Sequence, residues 1–307
     1  MGKPYIAGAA SKEYYQLSPA QKLEVQRETD RRFREQTKVT RPLDPTGVKD
    51  LELRRIWLRI RDEVMNERDE QQLRHELDLD GLTAIPEEMR FNGWGEGARV
   101  LETWFERPPA IEPNYSAPVT DLLKMSWILR FARAKEVYDN IIKDRIWTND
   151  ASKGRMLALL KGVPIPPQGL TMPFGNLNAP VPVVDQKWLN SRPVSNGLNV
   201  DGLAVAVGAF NFNIAVAGKI TSKPFMRGMT MRMVSVSIEE VGIYAKDSVD
   251  FEGQQFLGWW GYRDTAYYNS DFREWRIENH KGGDFLDYSD MRRIKLTTPD
   301  VIAVMVP

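Results

Sequence analysis

Val234-Ser235-Val236-Ser237-Ile238 alternates apolar and polar side chains, and Val241 to Tyr244 continues the pattern after Glu239-Glu240. A period of two places one set of side chains against a core and the other in water, which is the signature of a half-buried strand. Phe210-Asn211-Phe212-Asn213-Ile214 and Met229-Thr230-Met231-Arg232-Met233 alternate in the same way. Phe256 to Tyr262, Phe285 to Tyr288 and Val301 to Val306 are further strands. One helix interrupts them. Asn269-Ser270 offers its N-cap, Phe272 and Trp275 lie three apart on one face, and Lys281-Gly282-Gly283 ends it. Residues 203–307 are therefore expected to form an antiparallel β-rich domain with one inserted helix.

Upstream the character changes. Between Gly162 and Gly197 stand Pro164, Pro166, Pro167, Pro173, Pro180, Pro182 and Pro193, which suit neither helix interiors nor central strands. Val163, Ile165, Phe174 and Trp188 are too apolar for a free linker, so 162–202 is expected to be an ordered, irregular connection along the surface. Before it the period is that of helices. Ser18-Pro19-Ala20-Gln21 reads as a capping box opening a helix to about Gln36. Leu53, Ile56, Trp57, Ile60 and Val64 form one apolar stripe, and another helix fits Gly97 to Glu106. Thr120-Asp121 caps a segment from Leu122 to Ile142 dense enough in apolar residues for a buried central helix, and Asp150 to Leu160 is the last. The fold class is α+β: a helical domain at 1–161, the proline-rich connection, and the β-rich domain.

Composition excludes several chemistries. Lys and Arg number 42 and Asp and Glu number 42, so the 307-residue chain has no net charge to draw it to nucleic acid or anionic lipid, and no nucleic-acid partner is expected. With no cysteine, disulfides, Cys-ligated zinc and thiol catalysis are ruled out. Only His75 and His280 carry imidazoles, and no zinc or other cofactor is expected. The richest apolar run, Leu203 to Val216, is too short to span a bilayer as a helix and contains Asn211 and Asn213. Met1-Gly2-Lys3-Pro4-Tyr5-Ile6 lacks the apolar core of a secretory leader. A cytoplasmic location is expected, with export by a machine that needs no leader left open.

Three near-motifs have plainer readings. Glu76, Asp78, Asp80, Gly81 and Glu87 match the calcium-loop spacing of an EF-hand, but Glu at the first position and Pro86 beside the last ligand fit it poorly. An acidic junction between helices is the plainer reading. Lys281-Gly282-Gly283-Asp284-Phe285 superficially resembles a cyclic-dinucleotide synthase signature, yet Phe285 stands where a second acid is needed. A helix C-cap leading into a strand is the simpler account. Gly208 to Lys219 lacks both the first glycine and the hydroxyl of a phosphate loop.

The richest density of chemical groups runs from Glu239 to Asp290. Asp247, Asp250, Arg273 and Asp284 are the candidate catalytic residues, because hydrolysis needs carboxylates to move protons or hold a cation and cations to balance developing negative charge. Trp259, Tyr262, Tyr267, Asn269 and Arg276 are the candidate substrate-binding residues, aromatic rings and amides that could hold a sugar or base. Against this stands a structural reading, in which Trp and Tyr cover sheet faces and Asp occupies turns.

Val241-Gly242-Ile243-Tyr244-Ala245-Lys246-Asp247-Ser248-Val249-Asp250-Phe251, Leu257-Gly258-Trp259-Trp260, Asn269-Ser270-Asp271-Phe272-Arg273-Glu274-Trp275-Arg276 and Gly282-Gly283-Asp284-Phe285 resemble an uncharacterised proteobacterial family. The helical part, from Ile6 to Asp150, resembles it too. Genes of that domain-of-unknown-function family often lie near type VI secretion genes. The resemblance implies a secretion-associated protein but carries no catalytic residues with it. Two roles follow as expectations. One is a delivered antibacterial effector with a hydrolase-like carboxy-terminal domain. The other is a non-enzymatic adaptor or cytoplasmic immunity protein, whose partner is a secretion component, a chaperone or a toxin.

Overall fold

The computed structural model describes residues 19–39, 53, 55–65, 67, 81–110, 117–197, 200–223, 232–260 and 265–306. The chain divides into two compact units, Met1–Asp80 and Gly81–Pro307. In the first, α1 (Pro19–Thr37) and a helical segment at 55–65 share a small core of Val25, Phe33, Ile60, Val64 and Met65. Trp57 Nε1 donates to Asp30 Oδ1 at 2.8 Å, and Arg32 bridges Glu28 and Glu67. The expected cap Ser18 and the acidic residues Glu76 to Asp80 lie outside the described residues.

The second unit opens with α2 (Ile85–Phe91) and α3 (Gly95–Glu106). Along α3, Ala98, Leu101, Trp104 and Phe105 are buried at three- and four-residue spacing, the amphipathic period that the sequence shows. Glu87 sits in the first turn of α2, where a carboxylate favours the helix dipole. The long buried helix expected from Thr120 is instead two pieces, α4 (Met125–Ile128) and α5 (Ala132–Lys143). Tertiary bonds set this break. The Met125 N–H donates to Asp290 Oδ1 at 2.6 Å, which starts the first piece late. Phe131 is extended between the pieces, and Arg133 is drawn into an ion pair with Asp201. Only Ala134 and Ile141 of α5 are fully buried, so it is an amphipathic helix rather than a central one. The helix α6 (Asp150–Leu160) follows as expected, its N-cap Asn149 accepting from the Ser152 N–H at 2.9 Å.

The proline-rich stretch is not irregular throughout. It supplies β1 (Thr171–Phe174), a short helix α7 (Val181–Asp185) and β2 (Asn190–Val194). Both strands pair antiparallel with β3 (Phe210–Ser222), end to end along the same edge, after the short helix α8 (Gly202–Val207). Pro173 and Pro193 are tolerated because these strands lie at the margin of the sheet, where a missing N–H need not break a ladder. On its other edge β3 pairs with the 18-residue β4 (Arg232–Val249). The remaining edge of β4 is shared by β7 (Phe285–Tyr288) and β8 (Arg292–Val306), again end to end. A separate hairpin, β5 (Phe256–Trp260) with β6 (Thr265–Tyr268), leads into α9 (Asn269–Asn279). The architecture is mixed helix and antiparallel sheet, the α+β class read from the sequence.

The interruption at Glu239-Glu240 is a β-bulge. Ala217 faces Glu240 and Gly218 faces Ile238, leaving Glu239 as the extra residue. The bulge resets the alternation, so Val234, Val236 and Ile238 before it and Val241 and Ile243 after it are all buried. A glycine is required there: a Cβ at Gly218 would lie 1.9 Å from the Ser237 carbonyl oxygen.

Candidate functional site

Near the end of β4, Asp247 stands directly opposite Asp287 of β7, and Val249 opposite Phe285. Residues opposed in an antiparallel pair project from the same face. Every residue of β7 is buried. Leu286 and Tyr288 pack on one face with Leu177, Val184, Ala215 and Tyr244, which leaves Asp287 with Asp247 on the other. Asp287 is wholly buried and neither of its carboxylate oxygens has a hydrogen-bond partner. Burial pushes its pKa up to about 7, with Asp121 adding repulsion, while the Tyr288 N–H and Arg99 offset part of the rise. Asp247 keeps part of its side chain accessible, yet protein so surrounds the carboxyl that burial holds its pKa well above the usual range. Repulsion from Asp287 and Asp250 raises it further. Both acids thus hold a proton far more firmly than an exposed aspartate does.

Asp247 and Asp250 line a cavity of about 790 Å³. Met89, Val100 and Leu101 of α2 and α3 and Ala204 to Val207 of α8 form an apolar wall, while Phe251, Trp260, Asn269 and Phe272 line it elsewhere together with the polar Asn196, Ser248 and Gln255. Asn269 is 4% exposed; its Nδ2 donates to the Glu252 carbonyl, and its Oδ1 has no partner. Asp250 Oδ1 accepts from the Glu252 N–H at 3.3 Å, which shapes the turn after β4. Trp94 meets Trp260 edge to face at 6.1 Å between centroids. The cavity therefore joins an apolar wall to a rim of oxygen acceptors, the general make-up of a small-molecule site.

Of the residues singled out in the sequence, Asp247, Asp250 and Asn269 come together here. The others go elsewhere. Arg273 Nη1 donates to the carbonyls of Phe251 and Gly253, holding the turn before β5. Arg276 pairs with Asp284 in the interior, and Trp104 Nε1 donates to the same Asp284 oxygen at 2.8 Å. Burial raises the Asp284 pKa despite these two donors. Around the pair Trp104, Phe105, Phe251, Phe272 and Trp275 stack, with Phe251 and Phe272 parallel at 4.0 Å. The Gly282-Gly283 segment clasps the end of α3: Gly282 N–H donates to Arg107 O and Gly283 N–H to Trp104 O. These bonds satisfy carbonyls that a helix end leaves open. Gly282 has φ +90°, and a Cβ on it would meet the Trp104 ring at 2.5 Å. Tyr267 is buried under Gly81. Tyr262 and the side chain of Trp259 lie outside the described residues. Asn269 is the first residue of α9 rather than its cap; Tyr268 is the N-cap, its N–H donating to Asp271 Oδ2 at 2.7 Å.

Two features escape a reading by residue type. Asp287 occurs in the acidic density, but only the pairing register places it opposite Asp247. Asp185, at the end of α7, accepts from Asn213 Nδ2 at 2.8 Å, Tyr244 Oη at 2.7 Å, Tyr288 Oη at 2.9 Å and Lys246 Nζ at 2.7 Å. Burial pushes this carboxyl upward, but Lys246, Tyr244 and Asn213 outweigh it and its pKa is lowered. The donors come from three strands that pair in register, a signal invisible until β3, β4 and β7 are aligned. The network fastens α7 to the sheet.

Among the described residues no group of three or more His, Cys, Asp or Glu is placed to hold a metal ion, and no helix is long and apolar enough to cross a membrane. His280, the described imidazole, is the left-handed C-cap of α9 at φ +51°. No curated protein and no solved structure matches the chain. A family profile does, over residues 81–268 and 263–304, which takes in the cavity and both buried acids but leaves residues 1–80 outside the match. By that match the chain belongs to DUF6402, a family of unknown function.

Proposed function

We propose that the unit Gly81–Pro307 is a hydrolase-like domain whose chemistry lies in the cavity at Asp247 and Asp250, and that the protein is an antibacterial effector delivered by a type VI secretion machine. The supporting observation is the Asp247 carboxyl, which lines the cavity, has its pKa raised by burial, and stands within the field of Asp250. Hydrolysis needs an acid for the leaving group and a base for water, and two carboxyls in unequal surroundings supply both. The secretion setting is supported by the sequence resemblance alone.

The test is growth of a sensitive bacterium expressing the full chain, directed to the cytoplasm or to the periplasm. Asp247→Asn and Asp250→Asn abolish toxicity while preserving the melting temperature within a few degrees, whereas Asp144→Asn, on the exposed surface, leaves it intact. Full toxicity from both folded site variants rejects the reading.

A second reading, a non-enzymatic adaptor or immunity protein, is favoured by a different observation. Arg273, Arg276 and Asp284 are all spent on internal bonds, and among the described residues lining the cavity there is no arginine. A wild-type chain harmless in every compartment that instead protects against a neighbouring toxin, or co-purifies with a secretion component or chaperone, supports it.

A further inference from the structure

We propose that the cavity takes a ligand carrying a protonated amine on an apolar body, recognised by Asp247, Asp250 and the free oxygen of Asn269. The proposal rests on the reading of this cavity as the working site and names the class of molecule that enters it.

Charge is the first argument. Among the described lining residues there is no Lys, Arg or His, while two are aspartates. A phosphate or carboxylate entering would meet acidic side chains with no cation among the described lining residues to balance it. Asn269 supplies an independent argument. Its side chain is 4% exposed and lines the cavity, its Nδ2 is committed to the Glu252 carbonyl, and its Oδ1 accepts nothing. A buried acceptor without a donor is costly, and native proteins rarely leave one so. An N–H or O–H from the ligand satisfies it. An ammonium brings three donors and a positive charge, which suits a lining that offers carboxyls as well as an amide oxygen.

The remainder of the cavity selects the rest of the molecule. Val100, Leu101, Val205 and Val207 offer no hydrogen bonds, so hydroxyls laid against this wall are buried without partners, and the polar groups lie at Asn196, Ser248, Gln255, Asn269 and the two aspartates. A hydrocarbon or aromatic body gains by the same contact. A volume of about 790 Å³ is ample for such a ligand.

The surroundings of Asp247 give the binding event its own signature. Facing it are Asp250 beyond the end of the same strand and Asp287 across the pair, with Asp121 and Arg99 beside Asp287. Without a counter-charge the Asp247 pKa stays above the usual carboxylate range. A bound ammonium supplies that counter-charge and lowers it, so binding is coupled to proton release.

The experiment is isothermal titration of the full chain at neutral pH with phenethylamine, 2-phenylethanol and 3-phenylpropionate, three probes sharing a body and differing in head group. Repeating the amine titration in buffers of different ionisation heat counts the protons released. The expected result is saturable binding of the amine, about tenfold or more tighter than the alcohol, no binding of the carboxylate, and net proton release. Asp250→Asn, which leaves the fold's buried pairs untouched, weakens the amine by about tenfold while sparing the alcohol, and Asn269→Ala gives a second, independent loss. Equal or tighter binding of the alcohol, any preference for the carboxylate, or no binding of the amine overturns the proposal. The two readings fail separately. Amine binding by a chain that is never toxic removes the hydrolase and keeps the ligand class. Loss of toxicity in Asp247→Asn with preference for the alcohol keeps the enzyme and removes the ammonium.

Discussion

Trp104 and Asp284, 180 residues apart in the chain, are joined by a 2.8 Å hydrogen bond in the interior of the second unit. The same oxygen of Asp284 receives Arg276, itself only 6% exposed. Asp284→Leu removes the acceptor and leaves a buried guanidinium uncompensated, which costs about 3–5 kcal/mol. Replacing both partners, Asp284→Leu with Arg276→Met, recovers most of that loss. Urea unfolding of the two variants measures the difference, and equal midpoints would show that the pair is not coupled.

Asp287 makes the protein less stable as pH rises. An unfolded aspartate titrates near 3.9, whereas the folded group titrates at about 7, so between these values the folded state binds more protons. Its contribution is complete below about pH 4 and is lost progressively up to about pH 7. A rise of about 3 at about 1.4 kcal/mol each sets a ceiling of ~4 kcal/mol. Asp247 acts in the same direction. Melting temperatures of wild type and Asp287→Asn from pH 4 to 9 are expected to diverge upward, with the variant the more stable at pH 8.

Asp185 has the opposite sign. Its folded pKa is lowered, so its contribution is present above the unfolded value and disappears as pH falls through the folded one. Asp185→Asn loses about 2–3 kcal/mol at pH 7, since a neutral amide answers Lys246 poorly. At pH 2 the variant and wild type approach each other. A gap that stays constant with pH would assign the loss to shape alone.

Gly218→Ala is expected to unfold the sheet at its centre. The added methyl meets the Ser237 backbone rather than a movable side chain, and a cost of about 2–3 kcal/mol or more follows. Gly154→Ala is the control: nothing lies within 4 Å of its Cβ position, and as a position within α6 it gains helix propensity. Circular dichroism melts of both variants separate the two outcomes.

Strand and helix identity was legible wherever the period was clean. Val234 to Ile238, Phe210 to Ile214 and Asp150 to Leu160 needed only local alternation or capping. The break after Thr120 leaves no local mark, because it is imposed by Asp290 and Asp201, residues far along the chain. Pro173 and Pro193 hid two strands because a proline forbids only the interior of a sheet. For the site, residue type singled out Asp247, Asp250 and Asn269 but could not separate them from Arg273, Arg276 and Asp284, whose polar groups turn inward. That distinction depends on which carbonyls and rings surround each side chain, and period carries no such information.

The clasp between the end of α3 and the Gly282-Gly283 segment continues as two bridges, Ala110 with Gly283 and Val119 with Asp287. Early helices of the unit are thus completed by one of its last strands. During synthesis, α3 leaves the ribosome with its carbonyls open and its tryptophan uncovered, and it stays so until residues beyond Asp287 emerge. Closing so long a loop delays folding and lengthens the time for which apolar surface is exposed. The nascent unit therefore keeps the end of α3 unsatisfied through most of translation, and a chain stalled before Gly282 lacks the segment that closes it.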